Sequence, residues 1–250
     1  MNKVSRIIIG ISALVMALGI TSCKKDDTLY YNNMTMGNVY NGRFISDNGN
    51  TFNIVEQNCE GKLDTMKRAI IICDVLNETA GAENEYDVRL TQMAPVLTKA
   101  PLAAIDATSG DAAVKDPVNI RDLWYSGGYL NMYVQIPVSS GSNVKHLINL
   151  VYTANQDGSF TFELRHNAFG ELRNDQDPKM YLGGCHVSFP IVDIIKKDSA
   201  KLSISWKWYE SAGYAWSNTL KEYSVEYEWK REGYEQIPQS LALKSSADIL

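Results

Sequence analysis

Leu202-Ser203-Ile204-Ser205-Trp206-Lys207-Trp208 is the stretch on which the fold turns: large apolar side chains take every second position, and small or charged ones lie between. A strand sends successive side chains to opposite faces, so this period describes a strand with one buried face and one wet face. Tyr223, Val225, Tyr227 and Trp229 repeat the pattern, with Glu222, Glu226 and Glu228 turned outward. The two runs predict a closing antiparallel pair.

Working back along the chain, Leu130, Met132, Val134 and Ile136 share one face of a strand. Ile148, Leu150 and Tyr152 share one of the next, and Phe160, Phe162 and Leu164 one of a third. Half-buried strands of this kind pack as two antiparallel sheets, so residues 116–234 predict a β-sandwich. Gln156-Asp157-Gly158 reads as a hairpin loop with glycine at its left-handed position, which sets Asn155 against Ser159 and Ile148 against His166. Phe189-Pro190 and residues 191–197 predict the one helical turn, proline suiting a first helical position. Residues 235–250 lose the alternation and predict a loosely ordered tail.

The first half is written in shorter strands. Asp47-Asn48-Gly49 separates Arg43-Phe44-Ile45 from Thr51-Phe52-Asn53-Ile54-Val55, residues 68–76 are more continuously apolar, and residues 85–90 alternate again. Residues 36–98 therefore predict a small barrel or meander, and the fold class is all-β throughout. Residues 99–115, rich in alanine and carrying Pro101 and Gly110, predict a linker.

Residues 1–22 read as a signal peptide, with Lys3 and Arg6 ahead of an apolar run over 7–20. That run falls short of the roughly 20 residues that cross a membrane. Small residues before Cys23, in Ile20-Thr21-Ser22-Cys23, resemble the site at which lipoproteins are lipidated and cut, so Cys23 is the expected lipid attachment and residues 23–35 a lipidated tether. Acyl chains on that cysteine would make the membrane its first partner. Lys25, Asp26 and Asp27 resemble the export signal of Bacteroidetes lipoproteins, which predicts an outer-membrane lipoprotein on the cell surface, or failing that one facing the periplasm.

The net charge of −5 falls by two more when Lys3 and Arg6 leave, which argues against a nucleic-acid partner. Cys59, Cys73 and Cys185 show no C-x-x-C spacing, so neither zinc nor a redox dithiol is expected; a bridge between Cys59 and Cys73 is open. Burial of Cys73 as a small hydrophobe is the preferred reading.

Several stretches resemble the NigD-like lipoproteins of Bacteroidetes. They are Tyr86-Asp87-Val88-Arg89-Leu90 leading to Val96-Leu97-Thr98-Lys99, Asp116-Pro117-Val118-Asn119-Ile120-Arg121-Asp122-Leu123-Trp124, Gly127-Gly128-Tyr129-Leu130-Asn131, His146-Leu147-Ile148-Asn149-Leu150-Val151, and Glu163-Leu164-Arg165-His166-Asn167-Ala168. The resemblance implies an OB-like N-terminal domain before a C-terminal β-sandwich. The family is named for a bacteriocin gene cluster, and the resemblance carries over no catalytic residues.

No G-x-S-x-G elbow, H-E-x-x-H helix, Walker loop or EF-hand spacing occurs. His146 and His166 fall on one side of the hairpin, but a metal site would need a further ligand, so hydrogen bonding at the rim of the core is the preferred reading. Asp175 and Asp177 could offer oxygens to calcium, although a solvated loop explains them more simply. Tyr214 and Trp216, between the last two strands, are the candidate ligand contacts, where rings the core does not require could stack on a sugar or a protein. Trp124 reads instead as a buried anchor at a domain junction. Together these readings predict a non-enzymatic envelope lipoprotein that binds a protein partner and uses no cofactor. A glycan-binding lipoprotein is the alternative, and a hydrolase built on His146, His166 and Asp175 a further one.

Overall fold

The computed structural model describes residues 29–212, 215–231, 235–236 and 244–245. Five strands, β1 (Leu29–Tyr40), β2 (Arg43–Ser46), β3 (Thr51–Gln57), β4 (Arg68–Glu78) and β5 (Glu85–Pro95), close into a barrel in the order β1-β2-β3-β5-β4. With β3 parallel to β5 and β1 pairing with both β2 and β4, this is the OB-like arrangement. Phe44, Phe52, Ile71, Val88 and Leu90 are fully buried inside it. Gly37 lies where β1 serves both neighbours: a Cβ there would sit 2.3 Å from the carbonyl oxygen of Ile45, so the backbones cross only because the side chain is missing.

The first strand overlaps the tether expected over 23–35. β1 begins at Leu29 and its first residues pair with β4, Leu29 with Val75 and Tyr31 with Cys73. The long strand β4 needs a ladder partner along its far half, and these residues supply one although they lack apolar alternation. Cys59, Cys73 and Cys185 are all free, so the Cys59–Cys73 bridge is not formed. Burial pushes the Cys73 thiol up to about 11, which suits a packing role.

The rest of the chain makes two facing sheets. Its strands are β6 (Leu97–Thr98), β7 (Leu102–Ala103), β8 (Asn119–Ser126), β9 (Tyr129–Ser139), β10 (Leu147–Ala154), β11 (Phe160–Asn167), β12 (Met180–Pro190), β13 (Ser199–Ala212), β14 (Ala215–Lys230), β15 (Glu235–Gln236) and β16 (Lys244–Ser245). One sheet runs β16-β14-β13-β11-β10-β7 and the other β15-β8-β9-β12-β6. The inward faces read from the sequence, among them Leu130, Met132, Leu150, Phe162, Leu202, Ile204 and Trp229, form the shared core. Ile148 pairs with His166, the register the Gly158 turn requires.

Three boundaries differ from expectation. Residues 99–115 are not a free linker: β7 pairs with β10, and two 3-10 turns, Ala104–Ala107 and Gly110–Ala113, are held by Arg165, whose Nη1 donates to the carbonyls of Ala107 and Ala112. The turn expected over 191–197 is short: the amides of Ile194 and Ile195 both donate to the Ile191 carbonyl, and Ile191 and Ile195 are both drawn into the core. Residues 235–250 return to the sandwich in part, β15 pairing with β8 and β16 with β14. Two residues are too few to show a period, and what recruits them is the unpaired backbone of a sheet edge.

Candidate functional site

Three polar or exposed features stand out, beginning at the junction of barrel and sandwich. Arg68, the first residue of β4, is buried and spends all five guanidinium N–H groups. Nε donates to Ser188 Oγ at 3.0 Å, Nη1 to Asn38 Oδ1 and Asp47 Oδ1 at 3.1 and 2.8 Å, and Nη2 to Asp47 Oδ2 and Asn131 Oδ1 at 2.5 and 3.1 Å. Ser126 donates to the same Asp47 oxygen at 2.5 Å, and the guanidinium lies 4.1 Å over the Tyr129 ring. The charge pair and Asn38 belong to the barrel, and the other neutral groups around it belong to β8, β9 and β12. The sequence reading missed this clasp, since one arginine opening an apolar strand looks like a surface residue.

The second feature is a chain of imidazoles. His166 Nδ1 is 2.8 Å from the carbonyl oxygen of Pro117, which can only accept, so Nδ1 carries a proton. Burial pushes the His166 pKa down to about 4, so the ring is neutral and its Nε2 accepts. At 2.8 Å from that nitrogen, His146 Nδ1 must donate. His146 Nε2 lies 2.7 Å from Glu171 Oε2, while Glu171 Oε1 accepts from the Ser139 amide at 2.9 Å. The bond with His146 holds the Glu171 carboxyl below its ordinary value, so Glu171 is a carboxylate and the partner of His146. Both nitrogens of His146 are thus committed, and the one acceptor on His166 is used.

The third feature is the mouth of the sandwich beside Glu171. A cavity of about 310 Å³ opens there, walled by Ile136, Val138, Val144, Glu171, Tyr181 and Gly183. A neighbouring one of about 280 Å³ takes in Arg173, Asp175, Tyr181, Leu182 and Trp208. Val144, Tyr181 and Leu182 are exposed apolar residues of these walls, and Phe169 and Leu172 are exposed on the loop that carries Glu171.

Cys23, Lys25, Asp26, Asp27 and Tyr214 lie outside the described residues, as does the side chain of Trp216, whose backbone pairs with Ser211. Asp175 is held by Arg173, and Asp177 accepts from Ser139 and from the amide of Lys179. Among the described residues, no group of three or more His, Cys, Asp or Glu is placed to hold a metal ion. Trp124 is not the buried anchor expected: it is half-buried on the outer face of its sheet, edge-on to His186, which in turn lies against Tyr133.

An OB-like barrel clasped to a β-sandwich through the buried Arg68 network defines a two-domain, all-β protein. Residues 102–227 match the model of the NigD-like C-terminal beta sandwich domain. The chain belongs to the NigD-like family. Among solved structures it is similar to a NigD-like immunity protein from Bacteroides caccae, at 16% identity over 80% of this chain and 97% of that one, with a TM-score of 0.56. It is also similar to a protein of unknown function from Bacteroides vulgatus, at 21% identity over 80% and 89% of the two chains, TM-score 0.51. A candidate lipoprotein from Bacteroides fragilis shares 11% identity over 80% and 96%, TM-score 0.50. No curated protein matches the chain.

Proposed function

We propose that this protein is a lipid-anchored envelope protein that works by binding another protein. The observation that carries the reading is the apolar rim of the sandwich mouth, where Val144, Phe169, Leu172, Tyr181 and Leu182 are exposed beside two cavities. Exposed apolar clusters rimmed by polar groups mark interaction surfaces. Catalysis is disfavoured because His146 and His166, which do meet, spend their nitrogens on each other, on Glu171 and on Pro117. The Bacteroides caccae neighbour is called an immunity protein, which supports a partner of antibacterial kind. Cys23 would supply the anchor, with Lys25, Asp26 and Asp27 directing it to the outer face of the outer membrane.

Crosslinking on intact cells tests this reading. A discrete protein adduct is expected with the natural chain, and a Cys23→Ser chain should lose it together with its place in the membrane fraction. Turnover of a substrate without any protein adduct would overturn the reading.

One observation favours a glycan instead. Tyr133 lies across Gly184 of the neighbouring strand, so that a Cβ there would sit 2.1 Å from the phenol oxygen, and Trp124 and His186 flank it on the same outer face. Retention on immobilised polysaccharide that disappears in Tyr133→Ala would establish that reading.

A further inference from the structure

Each edge of the two sheets is capped by a strand of only two residues: β16 on β14, β7 on β10, β15 on β8 and β6 on β12. The backbone beyond each cap needs another guard against unwanted pairing, and proteins use charges, bulges or covering segments. β14 carries Lys221, Glu222, Glu226, Glu228 and Lys230 outside its cap at Tyr223 and Ser224. β8 carries Arg121 and Asp122 at a register shift. β10 has Lys99, whose Nζ donates to the Ile148 carbonyl and Asn149 Oδ1. β12 is capped at Val187 and Ser188, and the seven residues ahead of that cap, Met180-Tyr181-Leu182-Gly183-Gly184-Cys185-His186, include no lysine, arginine, aspartate, glutamate or proline. Tyr181 and Leu182 are moreover 57% and 36% exposed on it.

We propose that residues 180–186 of β12 are a docking edge for an extended segment of a partner protein, which joins the five-stranded sheet as an added strand. The inference rests on the protein-binding reading above and names its mode. β6 already shows this edge accepting a parallel neighbour, with Val187 against Leu97 and Ser188 against Thr98, and an incoming strand continues that line. In strand addition, main-chain hydrogen bonds hold the segment and pockets select alternate side chains. The cavity of about 310 Å³ walled by Ile136, Val138, Val144, Gly183 and Cys185 is such a pocket, on the inner side of the edge. The occupant is therefore a segment with apolar residues at every second position. A second copy of this chain is a poor fit: paired antiparallel over the whole edge, it sets Gly183 against Gly183 and places nothing in the cavity.

The test pans a displayed library of short random peptides against the purified protein, then measures the enriched peptides on Leu182→Lys and Tyr181→Lys, which place a charge at exposed edge positions, and on Ile105→Lys as a distant control. Enriched peptides should alternate apolar and polar residues. Each edge variant should weaken them by about tenfold or more, with Ile105→Lys neutral and the thermal melts of all three unchanged. Hydrogen exchange of β12 should slow when peptide binds. Peptides without alternation, equal binding by the edge variants, no enrichment at all, or self-association that Leu182→Lys abolishes would each overturn the proposal. A crosslinked partner that persists in Leu182→Lys would leave protein binding standing while sinking the edge.

Discussion

At the scale of single residues, the two buried polar groups differ in what they withstand. Removing one member of a buried charge pair leaves the other without compensation and costs about 3–5 kcal/mol. Arg68→Met, which strands Asp47, is accordingly expected to lower unfolding free energy by that order in urea titrations. His166 acts through pH. In the unfolded chain it takes up a proton near its ordinary value of about 6.5; in the fold it does so only near about 4. Its contribution is complete above the first value and is lost as pH falls towards the second, because the unfolded state binds the proton sooner. Glu171, held below its ordinary value by His146, acts in the same direction at more acid pH. The unfolding free energy from urea titrations should fall between about pH 7 and about pH 4, by up to roughly 3 kcal/mol from His166, and more gently in a His166→Gln protein. The meeting of His146 with His166 was legible, because strand register follows from one turn. Glu171 was not, since it reaches His146 from an irregular loop whose course no periodicity reveals.

At the scale of elements, glycines separate two kinds of close approach. A Cβ on Gly37 meets the carbonyl oxygen of Ile45, which is backbone and cannot yield, whereas one on Gly184 meets the phenol tip of Tyr133, which can swing away. Gly37→Ala is expected to destabilise by about 1–3 kcal/mol and Gly184→Ala by clearly less, as paired thermal melts would show. The long strands of the sandwich were readable because their alternation outlasts chance: Leu202 to Trp208 alone reports one face in and one out. The two-residue caps were not, because they obey no pattern of their own and exist to satisfy someone else's backbone. The first residues of β1 belong to the same class, being recruited by β4 rather than by any alternation of their own.

At the scale of the whole molecule, the buried Arg68 network crosses from barrel to sandwich and should make the two unfold together. Calorimetry is expected to show one transition for the natural protein and two for Arg68→Met, since the transmitted contacts then lose their centre. The OB-like half was the less legible of the two from pattern alone: its strands are short, and its closing order, β3 beside β5, is a long-range pairing that no local run of residues announces.

The clasp also bears on inheritance. Arg68, Asp47 and Asn38 travel together in the barrel, and the sandwich contributes only the neutral groups Ser126, Asn131 and Ser188, with the Tyr129 ring. A gene fusion that grafts this barrel onto a foreign sandwich brings both opposite charges with it and never strands one of them. The halves are therefore separable by recombination wherever the recipient keeps that serine, asparagine and serine, so lineages can trade one half while conserving the other.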